Sequence, residues 1–144
     1  MKRIPRRSKY QDQPVYEART RDIVVRIICN YLPEQSDPIE NQWLWGYMVE
    51  IENHGTEAVH LISRHWIITD ALNRVEEVKG PGVVGEQPVL GPGEAFRYSS
   101  ACPLATPSGV MRGSYRMTSD GGDIFDVEAP EFSLDLPGAR KALN

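Results

Sequence analysis

The chain is poor in the residues that most often carry chemistry. It has two cysteines, Cys29 and Cys102, far apart and without the C-x-x-C spacing of a zinc ribbon or a dithiol redox pair. Both read as reduced thiols packed in a core, where free cysteine behaves as a small hydrophobe. It has three histidines, His54, His60 and His65. Their spacings of six and five do not put all three on one face of a simple strand, which argues against a three-histidine metal site. A β-bulge near Ser63 would align His60 with His65, but two imidazoles without a carboxylate make a poor divalent site. No G-x-S-x-G elbow and no local cysteine-nucleophile signature occur, so no catalytic residue, metal or cofactor is expected and the chain does not read as an enzyme. Long apolar runs are missing too. The stretch Val24 to Cys29 is broken by Arg26, far short of the roughly 20 residues of a membrane span. The opening Met1-Lys2-Arg3 leads into Pro5, Arg6, Arg7 and Lys9 instead of the apolar region of a secretory signal, so a cytoplasmic location is expected.

What is present suits one all-β domain. The 144 residues, 40% hydrophobic and 25% charged, allow a single core, and six Tyr, three Trp and three Phe supply bulk to fill it. Charge is uneven: residues 1–9 hold five basic groups and no acid, leaving 11 basic against 20 acidic groups in the remainder. An acidic body disfavours binding to a phosphate backbone, so nucleic acid is expected to engage no part of the chain except the basic tail. Residues 1–14, polar and holding Pro5 and Pro14, read as a flexible leader, 15–137 as the domain and 138–144 as a C-terminal tail.

Within the domain apolar residues recur at every second position, the period of a strand. Trp43, Trp45, Tyr47, Val49 and Ile51 share one face, predicted to point inward. Further strands are predicted over Ala18–Asn30, Val59–Thr69, Arg74–Lys79, Glu94–Ser99, Val110–Thr118, Ile124–Val127 and Glu131–Leu136, a count that suits a sandwich of about seven to nine antiparallel strands. Between Leu61 and Trp66 the apolar phase moves from odd to even, which places a bulge near Ser63 and suggests a sheet edge there. Asn53-His54-Gly55, Asp70 to Asn73 and Ser119 to Gly122 read as hairpin turns. Gly80 to Gly93 holds five of the 12 glycines and three of the 11 prolines, and reads as a long surface connection without a ladder of its own.

Gly80-Pro81-Gly82-Val83-Val84-Gly85 matches G-x-G-x-x-G, but Pro88 and Pro92 prevent the helix that the dinucleotide fingerprint needs after it. The weaker reading is an anion-binding nest of backbone N–H groups at Gly80, Gly82 and Gly85. Arg64 is the nearest candidate to join it, its fork directed toward the glycine loop or toward a partner's carboxylate, with His65 beside it as a second partner-surface candidate. Trp66 is assigned to the core.

Two blocks resemble sandwich domains in general. Leu90-Gly91-Pro92-Gly93-Glu94 resembles the turn before a strand in fibronectin type III-like domains, and Gly113-Ser114-Tyr115-Arg116-Met117 is similar to the Gly-x-Tyr-x-Cys strand of immunoglobulin domains, with Met117 in place of the cysteine. More specifically, Arg64-His65-Trp66-Ile67-Ile68-Thr69-Asp70, Val78 through Pro88, Pro92-Gly93-Glu94, Tyr98-Ser99-Ser100 and Thr106-Pro107 to Met117 together strongly resemble the ApaG family over roughly residues 20–137. The resemblance implies an immunoglobulin/fibronectin type III-like β-sandwich in a cytoplasmic bacterial protein whose molecular role is unsettled and which has been linked to cobalt and magnesium homeostasis. Similar domains in eukaryotic F-box and DNA-polymerase-interacting proteins look like protein-recognition modules. The family's glycine motif carries onto Gly80, Gly82 and Gly85, while Pro81 departs from it and removes one N–H from the nest. The leading expectation is therefore a non-catalytic module that recognises a protein partner. The alternative is a binder of a phosphate or pyrophosphate compound, or of a divalent cation, at the Gly80–Gly85 loop.

Overall fold

The computed structural model describes residues 14–138, so the predicted leader and tail lie outside the described residues except for Pro14 and Gly138. Nine strands follow one another: β1 Tyr16–Thr20, β2 Ile23–Tyr31, β3 Trp43–Asn53, β4 Val59–Asp70, β5 Val75–Pro81, β6 Val89–Leu90, β7 Ala95–Leu104, β8 Gly109–Ser119 and β9 Ile124–Leu134. They form two antiparallel sheets, β1-β2-β3-β7 and β5-β4-β8-β9, with β6 paired to the start of β4. The alternation predicted for β3 holds: Trp45, Tyr47, Val49 and Ile51 are buried while their neighbours are half-exposed. They meet Trp66, Tyr115, Met117 and Phe132 of the other sheet. Trp66 packs edge-on against Tyr47, Tyr115 and Phe132 with ring centroids about 6 Å apart, the geometry aromatic quadrupoles prefer.

The predicted bulge is present. The register of β4 against β8 slips between Leu61 and Ser63, leaving Ile62 as the extra residue, and beyond it the even positions Trp66 and Ile68 face the core. The sheet edge inferred from the same signal is not there, since β4 lies between β5 and β8 and is the most interior strand of its sheet. A bulge changes phase wherever it falls, so the phase shift carried no information about the edge.

Four other expectations are corrected. Ala18–Asn30 is a hairpin, β1 and β2, not one strand: Arg21 takes a left-handed φ of 52° at the turn, a conformation that an arginine does not advertise. Ile124–Leu134 is one strand where two were predicted. Pro130 and Glu131 sit opposite the single residue Arg112, so the proline falls in a bulge on an edge strand, the place where a missing N–H is tolerated. The Asn53-His54-Gly55 segment is not a hairpin turn but the crossover from one sheet to the other. There the buried Asn53 side chain donates to the carbonyls of Glu57 at 2.8 Å and Leu90 at 2.9 Å and accepts from the Gly55 N–H, holding the corner. Finally, the Gly80–Gly93 segment is not without pairing: β5 runs through Pro81, and Val89–Leu90 add a short strand to β4.

Candidate functional site

The bulge that reorients β4 also positions the glycine loop. Freed from the ladder, the Ile62 carbonyl accepts from the Gly82 N–H at 2.9 Å and from the Gln87 side-chain amide at 2.8 Å. Leu61 N–H donates to the Pro88 carbonyl at 3.0 Å, and the His60 ring lies 3.0 Å from the Gln87 carbonyl. Between these anchors Val83 and Glu86 exchange two backbone hydrogen bonds, Val83 N–H to Glu86 at 2.8 Å and Glu86 N–H to Val83 at 2.9 Å. The two residues inside that bracket, Val84 and Gly85, both have positive φ, 42° and 83°, as in a type I′ hairpin turn. Gly82 is also left-handed, and a Cβ there would collide with the Glu86 carbonyl. The Val83 side chain is fully buried and pins the hairpin to the core.

Arg64 reaches this loop from the inner side of the sheet. It pairs across the sheet with Gly80, whose missing side chain leaves room for the guanidinium, and its Nη1 donates to the carbonyls of Pro81 at 3.1 Å and Gly82 at 3.0 Å. The guanidinium therefore clamps loop carbonyls. The N–H groups of Gly82 and Val83 are spent within the fold and Pro81 has none, so these three positions of the motif offer no amide to an anion.

His65 faces the opposite way, onto the outer surface, with Nε2 3.2 Å from a Glu77 carboxylate oxygen. The bulge does bring His60 and His65 to one face, but each takes its own partner, and His54 sits apart beside Glu52. Among the described residues no three His, Cys, Asp or Glu side chains are grouped to hold a metal ion.

A hydroxyl bridge crosses the core, for which no local pattern in the sequence is a signal. Tyr98 of β7 and Tyr115 of β8 join the two sheets through hydroxyls 2.6 Å apart. Tyr115 is the tyrosine of the immunoglobulin-like block, and its hydroxyl is spent on the facing sheet. Burial pushes the phenols of Tyr47, Tyr98 and Tyr115 up from their ordinary range, the Tyr47 shift being opposed by its bond with Ser100. Burial likewise raises the thiols, Cys29 to about 12 and Cys102 to about 11. These groups are held neutral, the reverse of what an activated nucleophile needs.

The geometry defines a class first: an immunoglobulin/fibronectin type III-like β-sandwich that displays a rigid, tightly anchored hairpin beside a bulged central strand. The ApaG domain profile matches residues 33–119. The chain is 63% identical over 96% of its length, and 99% of the relative's, to Protein ApaG of Caulobacter vibrioides, and 56% identical over 90% to that of Brucella anthropi, all of which is covered. The solved structure of the ApaA protein of Bordetella pertussis superposes with a TM-score of 0.78 at 48% identity, covering 87% of this chain and 97% of that one. The chain belongs to the ApaG domain family.

Proposed function

We propose that this domain is a non-catalytic protein-recognition module and that the hairpin around Val84 is part of the surface its partner reads. The observation that carries the reading is Val84 itself. It is 56% exposed at the tip of the turn, at a φ that a β-branched residue rarely adopts. Such a conformation costs about 1–3 kcal/mol, and solvent returns nothing for it. The base of the hairpin beneath Val84 is meanwhile fixed, by the buried Val83, by the Ile62 carbonyl and by the Arg64 clamp. A strained apolar side chain on a rigid support, with the exposed Val89 nearby in sequence, is what a partner pocket would use.

Replacement by asparagine, which tolerates the left-handed region, tests this directly. Val84→Asn is expected to melt higher and to lose a partner that the parent protein retains from a bacterial lysate. A variant that melts higher and keeps the same partner would sink the reading. The alternative of a phosphate, pyrophosphate or divalent-cation ligand on the loop draws less support, because the Gly82 and Val83 amides are already bonded. Two free thiols held protonated suit a reducing compartment, so the same reading places the module in the cytoplasm.

A further inference from the structure

On the outer face of β5-β4-β8-β9 an open hollow of about 270 Å³ lies beside the hairpin. Its origin is the register. Ser63 stands opposite Arg116, and His65 stands between Lys79 and Ser114. Small residues, Ser63 and Ser114, are thereby surrounded by the longer His65, Lys79 and Arg116, and the hollow is the volume that the small ones fail to fill. The small residues are half-buried while Lys79 and Arg116 are exposed, so hydroxyls form the floor and cations the rim.

Two features of this hollow are independent of its shape. Lys79 makes no ion pair, and the Ser63 and Ser114 hydroxyls make no hydrogen bond, with any described residue. The charged side chains that the lining presents on this face are Lys79 and Arg116 against the single carboxylate Asp126, which Arg116 already engages at 3.0 Å, in a chain whose net charge is −4. Donors and positive charge are concentrated where the rest of the protein is acidic, the composition that receives an oxyanion. The volume falls below the roughly 300 Å³ at which pockets begin to enclose a whole small molecule. It suits one anionic group that arrives from outside attached to something larger.

We propose that this hollow binds an acidic side chain of an extended partner polypeptide, its oxygens held by Lys79 and the two serine hydroxyls. The proposal rests on the recognition-module reading and assigns the partner's chemistry at a place next to the hairpin.

The test uses the full chain, 15N-labelled, titrated with a Gly-Glu repeat peptide, its Gly-Gln counterpart, and inorganic phosphate alone. The expected result is saturable shifts of the Ser63, His65, Gly80 and Ser114 amides with the Glu peptide and none with the Gln peptide. Lys79→Gln should weaken the Glu peptide about tenfold, which corresponds to 1.4 kcal/mol. Ser114→Leu fills the floor without changing charge and should abolish the shifts, whereas Arg112→Gln removes a neighbouring charge outside the lining and should change nothing. Equal loss in Arg112→Gln and Lys79→Gln would reduce the effect to unspecific attraction and overturn the proposal. So would shifts that survive in Ser114→Leu, or phosphate alone binding as tightly as the peptide, which would make the hollow a free-anion site. Failure here leaves partner retention through Val84 standing, because Ser114→Leu does not touch the hairpin. Failure of Val84→Asn to release the partner removes the module reading even where the Glu peptide binds.

Discussion

At the tip of the hairpin Val84 and Gly82 illustrate opposite uses of the left-handed region. Gly82 is there because nothing else fits, and Gly82→Ala should destabilise by more than 2 kcal/mol, of the order seen where a forced φ and a backbone clash combine, measured by urea unfolding. Val84 is there in spite of its side chain, and Val84→Asn should stabilise by about 1 kcal/mol in the same assay. The buried Tyr98–Tyr115 bridge offers a third prediction. Tyr98→Phe strands one buried hydroxyl and should cost about 1–3 kcal/mol, while the double Tyr98→Phe, Tyr115→Phe variant leaves none unsatisfied. The double variant should therefore be less destabilised than the sum of the two single ones, as a double-mutant cycle would read.

At the level of elements, the crossover after β3 is held by one side chain. The buried Asn53 binds two carbonyls and one N–H, of which the Leu90 carbonyl is buried with it, so Asn53→Ala should cost about 1–3 kcal/mol and loosen the start of β4 together with β6. Amide exchange protection at Val59–Leu61 and at Leu90 would show this, and unchanged protection there would refute it. The sequence reads Asn53-His54-Gly55 as a hairpin turn, whereas the segment is a change of sheet. Turn chemistry reports positive φ and local bonds, whereas the sheet a strand joins is set by partners distant in the chain. Pro130 shows the converse: a proline reads as a break, and only the facing Arg112 reveals that it fills a bulge.

For the whole molecule, pH sets two limits. The carboxylate of Glu52 is pushed up by burial, but hydrogen bonds from Arg26 and His54 outweigh this and leave it lowered. Asp126 is lowered by its bond to Arg116. A group depressed in the folded state contributes stability above its unfolded pKa and loses it as pH falls through the folded one, so stability should decline below about pH 4. On the alkaline side the sign reverses. Cys29, raised to about 12, and Cys102, raised to about 11, favour folding while the unfolded thiols stay protonated, and that contribution is lost as pH rises from about 9 through those values. Thermal melts across pH 3–11 should be highest in the middle, and the alkaline fall should shrink in a Cys29→Ala, Cys102→Ala variant.

The alternation in β3, the phase shift at Ser63, the inward Trp66 and the G-x-G-x-x-G turn were all legible in the sequence, because each is a local consequence of side-chain period or backbone freedom. The family blocks lay there too. What only the tertiary structure decided is who faces whom. It made β4 an interior strand, turned the Ile62 carbonyl into the anchor of the hairpin and set the Arg64 guanidinium on the Pro81 and Gly82 carbonyls. It also grouped Ser63, Lys79 and Ser114 around one hollow. These are pairings between strands far apart along the chain, and period and propensity, which describe a residue and its near neighbours, do not encode them.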